Sequence, residues 1–227
     1  AAHAVGVGTG TDAIALALAA LGIGAGEGVI TSPLSAAYSA LPILMAGARP
    51  VFADIDPERL TISPALVERA ITPRTRAILP VHLYGQPADM PALADIAAKL
   101  RRLRNGGQTS RYHHAEPGVN SRLDEMQAAV LRARLPRLAA WTRTRRALAA
   151  RYRQQLAGAN VRVPPELDAG HVYHLFPVLA ADRDALQSRL RDAGVETLIH
   201  YPVALPDQPA LSGASPAPCP VAASIAA

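Results

Sequence analysis

Gly6-Val7-Gly8-Thr9-Gly10-Thr11-Asp12 is the stretch whose residue types and spacing point most directly to chemistry. Alternate glycines between an apolar segment and a helical pattern let the main chain approach a ligand closely. The N–H groups and dipole of the following helix favour an anion such as phosphate. The spacing is G-x-G-x-G and not the G-x-G-x-x-G of a dinucleotide fingerprint, which weakens a nicotinamide or flavin reading. A tight turn that binds nothing stays open as an alternative. A second polar cluster, Gly118-Val119-Asn120-Ser121-Arg122-Leu123-Asp124-Glu125-Met126-Gln127-Ala128-Ala129, crowds the entrance of another helical pattern. There Asn120 or Ser121 could cap the helix and Asp124 could complement its dipole, so by itself the cluster is an ordinary helix start.

These residues need a scaffold, and the first hundred residues alternate short apolar segments with helical patterns. Residues 3–8, 28–31, 50–54 and 76–81 are predicted strands. Residues 11–21, 35–45 and 63–70 are predicted helices, the last opened by Ser63 as N-cap with Pro64 at the first helical position. Repeated strand, helix, strand predicts a parallel α/β sheet with right-handed crossovers. After Asn120 a long helical pattern, interrupted by Pro136, leads into a smaller unit with a strand at 172–179, a helix at 182–193 and a strand at 195–201. The expected division is a large domain over 1–135 and a linking helix with a small C-terminal domain over 136–227. The tail from Pro202 is rich in proline, alanine and serine without a period and is predicted to be irregular.

Composition sets the outer limits. A chain of 227 residues, half of them apolar, can bury one large core or one large and one smaller. Cys219 is the only cysteine, so no intrachain disulfide can form and a reducing cytoplasm is expected. The most apolar run, 13–24, is too short and glycine-rich to span a bilayer. The chain starts at Ala1, and its natural start is expected to be missing. Net charge is +5, and because Lys99 is the only lysine, the other 22 of the 23 basic residues are arginine. Many lie between Arg132 and Arg153, which raises a nucleic-acid surface. Leu131, Leu135, Leu138, Trp141, Leu148 and Tyr152 run through the same stretch at helical spacing, so the arginines are read as a solvated face. Neither nucleic acid, membrane nor metal is expected as a partner.

The order of the motifs resembles a known family. Ala4-Val5-Gly6-Val7-Gly8, Gly10-Thr11-Asp12-Ala13, Val81-His82-Leu83-Tyr84-Gly85, Leu103-Arg104-Asn105, the 120–129 cluster and His200-Tyr201-Pro202 stand in the order seen in the DegT/DnrJ/StrS aminotransferases. The likeness runs to about residue 210. It implies a fold-type-I large domain with a mainly parallel sheet and a smaller α+β C-terminal domain. It also implies pyridoxal 5'-phosphate as cofactor and transfer of an amino group from glutamate or glutamine to a nucleotide-linked keto sugar. By the same resemblance Thr11 and Asp12 bind the cofactor phosphate through their backbone. Asn120 reaches the phosphate of the neighbouring subunit's cofactor, which implies a homodimer. His200 and Tyr201 face the substrate side, with a purely structural His-Tyr-Pro segment as the alternative; His82 and His174 are expected to pack or cap.

The chain departs from the family in two places. Where the family places an aromatic or histidine ring over the cofactor, this chain has Ser35-Ala36-Ala37 with Tyr38 nearby. Near Lys99-Leu100-Arg101 the family carries a long segment with an acid that pairs with the pyridine nitrogen and the Schiff-base lysine; here its two flanks are fused. Lys99 resembles a surface residue on a helix and not that lysine. The expectation is a chain without transaminase activity and with part of its sheet missing. The alternative is a non-catalytic binding or interaction protein that pairs with an intact relative.

Overall fold

The structure is a computed structural model that describes residues 6–95, 133–211 and 218–226. Its centre is a parallel sheet of β1 (Gly28–Thr31), β2 (Arg49–Phe52) and β3 (Thr75–Leu79), ordered β2-β1-β3. Val29 pairs with Pro50 on one side and Ala77 on the other. All four β1 residues are buried, as the middle strand of a parallel sheet covered on both faces should be. Alternation along β1 divides the core. Val29 faces Leu18, Ile23 and Ile43, whereas Ile30 faces Val51, Ile62 and Val67.

The helices follow the expected order with informative differences at their ends. Helix α1 (Gly10–Ala20) opens one residue before the expected start. The predicted helix 35–45 divides into a 3-10 turn at Ala37–Ser39 and α2 (Leu41–Met45), because Pro42 lacks the N–H that a continuous helix would use and instead sits in the first turn of a new one. Helix α3 (Pro64–Ala70) begins where expected, but the Ser63 side chain makes no capping bond. Its carbonyl oxygen accepts from the Leu66 and Val67 N–H groups at 3.1 and 2.9 Å instead. Of the predicted strand 3–8, residues 6–8 are described and are irregular.

Pro136 lies in a 3-10 turn, Leu135–Arg137, which leads into α4 (Leu138–Gln155). Arg143, Arg145 and Arg151 are exposed, as a solvated face requires. Arg146 and Arg153 turn inward. Arg146 donates to the carbonyls of His171, at 3.0 Å, and Ala169, and Arg153 donates to that of Pro164 at 2.6 Å. Helix α5 (Arg183–Asp192) is capped by the Asp182 carboxylate, which accepts from the Ala185 N–H at 3.0 Å.

The two strands expected in the small unit do not form among the described residues. Its β structure is one antiparallel bridge, Arg162 to Leu179. In the stretch 172–179 the Val172 and Leu175 N–H groups are taken by the carbonyls of Gly85 and Tyr84, Tyr173 has φ +47°, and Pro177 has no donor. No strand forms at 195–201; Val195 N–H closes the end of α5 on Leu190, and Gln187 binds the Thr197 carbonyl.

Two polar ties hold the distant parts together. Buried Asp54, just past β2, holds helix α6 (Pro220–Ala226): Oδ2 accepts from the Val221 N–H at 2.8 Å, and Oδ1 accepts from those of Ala222 and Ile55, each at 2.9 Å. Arg183 donates to the Ala226 carbonyl at the other end of α6. Asp168 accepts from Arg59 at 3.2 Å and from Gln86 at 2.8 Å, both on the sheet side, and from the Gly170 N–H at 2.7 Å.

Candidate active site

The strand order places a crevice where ligands of α/β sheets are held. β1 is central and its neighbours β2 and β3 lie on opposite sides, so the crossover after β1 goes to one side and the crossover after β2 passes β1 to the other. Helix α1 reaches β1 through the short connection 21–27 and packs on the sheet. It therefore runs against the strands, and its N-terminus lies at their carboxyl edge.

Thr9 is the cap of that N-terminus, a role the sequence reading did not assign. Its Oγ1 accepts from the Asp12 N–H at 3.1 Å and donates to Asp12 Oδ2 at 2.8 Å. The signal was present, since a threonine three residues before an acid at a helix start is a capping-box pattern in shortened form. Thr11 and Asp12 are half-buried. Among the described residues the Gly10 and Thr11 N–H groups meet no acceptor, and none stands within 4 Å of where a Gly10 Cβ would lie. Two first-turn donors at a helix dipole's positive end fit an anion. The Asp12 N–H is already engaged by Thr9.

After β1 the chain turns through Ser32, Pro33, Leu34 and Ser35. Ser35 and Ser39 share a hydroxyl hydrogen bond of 2.8 Å, and Tyr38 stands 66% exposed beside them. His200 and Tyr201 arrive from the stretch after α5. Tyr201 packs against a core that includes Leu34 and Ala37, and the Leu205 N–H donates to the Pro33 carbonyl at 2.8 Å. Both residues also line a groove of roughly 1110 Å³ between α5, the stretch 195–201 and α6. Thr11 and Asp12 do not line that groove.

Tyr84 links them to the Leu-Tyr-Gly motif by donating its hydroxyl to the His200 carbonyl. Burial, helped by Tyr201, pushes its phenol up to about 12. The folded state therefore holds this proton more tightly than the unfolded chain. The resulting stability is complete below about pH 10 and is lost as pH rises through about 12. Urea unfolding across this interval should show about 2 kcal/mol more alkaline destabilisation in the native chain than in Tyr84→Phe. Equal pH dependence in the two would count against the assignment.

His82 caps, as expected: Nδ1 accepts from the Ala88 N–H at 3.0 Å. His174 does not pack; it is exposed. His171, which sequence reasoning passed over, is buried and stacked on Tyr173 with ring centres 3.9 Å apart, and burial holds its imidazole below the ordinary range. Asn120, its 118–129 cluster and Lys99 lie outside the described residues. Among the described residues no three His, Cys, Asp or Glu are placed to hold a metal, and no helix is long and apolar enough to cross a membrane.

The architecture is that of a fold-type-I aminotransferase. The chain belongs to the DegT/DnrJ/EryC1/StrS aminotransferase family, whose model matches it in two pieces, residues 1–101 and 95–227. It is 40% identical to dTDP-3-amino-3,4,6-trideoxy-α-D-glucose transaminase of Streptomyces venezuelae over 78% of this chain and 63% of that protein. It is 36% identical to UDP-N-acetyl-3-dehydro-α-D-glucosamine 3-aminotransferase of Acidithiobacillus ferrooxidans over 99% of this chain and 77% of that one. The chain thus spans somewhat under two thirds of the Streptomyces relative. The crystal structure of S. venezuelae DesV in complex with a ketimine intermediate superposes with a TM-score of 0.85 at 39% identity, covering 98% of this chain and 76% of the other. The Acidithiobacillus alignment runs over 285 positions against 227 residues here, so at least 285 less 227, or 58, of its positions have no counterpart in this chain.

Proposed function

We propose that this chain is a nucleotide-sugar aminotransferase by descent that holds the phosphate of pyridoxal 5'-phosphate but does not transaminate. The observation that carries this reading is the place of its only lysine, Lys99, inside the overlap where the two family matches meet. The phosphate end of the cofactor fits the residues present. Gly10 and Thr11 offer N–H groups at the start of α1 that meet no acceptor among the described residues, and Asp12 would add its own if Thr9 released it. Asn120 of a neighbouring subunit would complete the cradle in a homodimer.

The ring end does not fit. Pyridoxal phosphate supplies an electron sink once it is linked to a lysine, and no lysine besides Lys99 exists in the chain. Arginine cannot serve, because a guanidinium stays protonated and is a poor nucleophile. No catalytic step is therefore assigned to the cofactor here. His200 and Tyr201 would border a nucleotide-linked sugar, and an amino acid would be the donor in intact relatives; the printed activities of the Streptomyces and Acidithiobacillus proteins support that substrate class.

The test is to purify the full chain with pyridoxal phosphate, treat it with borohydride and map any fixed cofactor by mass spectrometry. The expected result is reversible binding and no fixed adduct. An adduct on Lys99 would overturn the reading.

A further inference from the structure

We infer that His171 is the pin of an acid-sensitive latch: a proton on its Nδ1 releases the stretch 172–175 from the 82–86 loop. The buried imidazole accepts at Nδ1 from the Tyr173 N–H at 3.0 Å. A ring nitrogen that accepts a hydrogen bond carries no proton, so the folded chain holds this ring neutral with its hydrogen on Nε2. Protonation needs the same lone pair. It would set two donors against each other in a buried place and strip the Tyr173 N–H of its acceptor.

The turn that this bond closes is under backbone strain. Tyr173 has φ +47°, a left-handed conformation that a bulky residue keeps only where its surroundings enforce it. Its ring lies on that of His171, and its hydroxyl donates to Glu166. The residues on either side of it grip the sheet-side loop. The Val172 N–H donates to the Gly85 carbonyl at 3.0 Å, and the Leu175 N–H to that of Tyr84 at 3.4 Å. Tyr84 in turn donates its hydroxyl to the carbonyl of His200, which lines the groove beside α5. A chain of contacts thus runs from one ring nitrogen to the backbone of that groove.

Burial is the largest influence on the ring and holds the imidazole below its ordinary value of 6.5. Among the described residues, Glu166 and Asp168 of the preceding stretch work against burial, while Arg153 and Arg146 of α4 work with it. Asp168 is already engaged by Arg59, Gln86 and the Gly170 N–H, and Arg146 donates to the carbonyl of His171 itself. On the facing 82–86 loop, His82 turns its Nδ1 to the Ala88 N–H, and Tyr84 keeps its proton up to about pH 12. The folded state therefore favours the neutral ring. The latch is fully closed above pH 6.5, the ordinary value, and opens as pH falls from there through the lower value of the folded chain.

The experiment is NMR on the full chain without cofactor, between about pH 7.5 and about pH 5. The His171 imidazole should titrate below 6.5, and the protection of the Val172, Tyr173 and Leu175 amides against hydrogen exchange, corrected for intrinsic rates, should fall with it. A freed imidazole of ordinary value caps that fall at about thirtyfold at pH 5, and at least about threefold is expected. In His171→Asn the side-chain oxygen can accept from the same N–H two residues on without titrating, so the fall should vanish. Titration of His171 at or above 6.5, unchanged protection at pH 5, or an equal fall in His171→Asn would each overturn the inference. Should His171→Asn fail to fold, the parent alone decides: a fall that follows the titration of His171 supports the latch, and one that follows another histidine overturns it. The readout needs no cofactor, so a lysine adduct in the borohydride test would remove the proposed function while leaving this result intact.

Discussion

Gly85→Ala is expected to destabilise the fold by about 3 kcal/mol, the sum of a strained backbone and an overpacked contact. Gly85 has φ +90°, which a residue with a Cβ adopts only under strain. A methyl group there would stand 2.9 Å from the His174 backbone nitrogen, 2.9 Å from Val172 Cγ2 and 3.2 Å from the Tyr173 nitrogen. Two of these three neighbours are main chain and cannot rotate away. Relief would require the 82–86 loop to part from 172–175, which breaks the bonds from the Val172 and Leu175 N–H groups to Gly85 and Tyr84. Urea unfolding should show a much lower midpoint, with the Tyr84 region opening first in hydrogen exchange. A variant with the parent's midpoint would refute this account of the loop.

Asp54→Ala is the second large effect, also about 3 kcal/mol. Hydrogen bonds to a charged acceptor contribute roughly 1.5–3 kcal/mol each, and removal of this carboxylate strands donors in a buried place. Val221 and Ala222 N–H would both lose their acceptor at the start of α6. Ala222 is fully buried in the core with Phe52, Leu83 and Leu205, so water cannot reach it without displacing the helix. Limited proteolysis should cut near α6 far faster in Asp54→Ala, whereas Asp54→Asn, which keeps an acceptor oxygen, should lie between. Equal cleavage of all three proteins would show that apolar packing alone holds the helix.

The reasons for what sequence made legible lie in the range of the forces concerned. The three strands stand out as short apolar runs bounded by glycine, proline and polar residues, and Gly10 with Thr11 marks a helix start because both signals are local. The clasp of Asp54 on Ala222 joins residues 168 apart, and no pattern near Asp54 announces it. The stretch 172–179 is a short apolar run like that of a strand, but such a run describes side chains and not who receives the backbone donors. Gly85 and Tyr84 receive two of them. For the site, the cap at Thr9 was readable and overlooked, while burial of His171 depends on Tyr173 folding back over it at positive φ.

The carboxylate of Asp168 has a mechanical consequence. Arg59 and Gln86 reach it from the sheet side and the Gly170 N–H from its own, while Arg146 and Arg153 lash α4 to the same stretch of chain. The stretch 164–171 is thereby moored to the sheet side by bonds of defined direction. A rotation of one unit against the other could not proceed by gradual bending there; it would have to exchange the whole set at once. Any such motion would be a switch between two moorings, with its hinge outside 164–171.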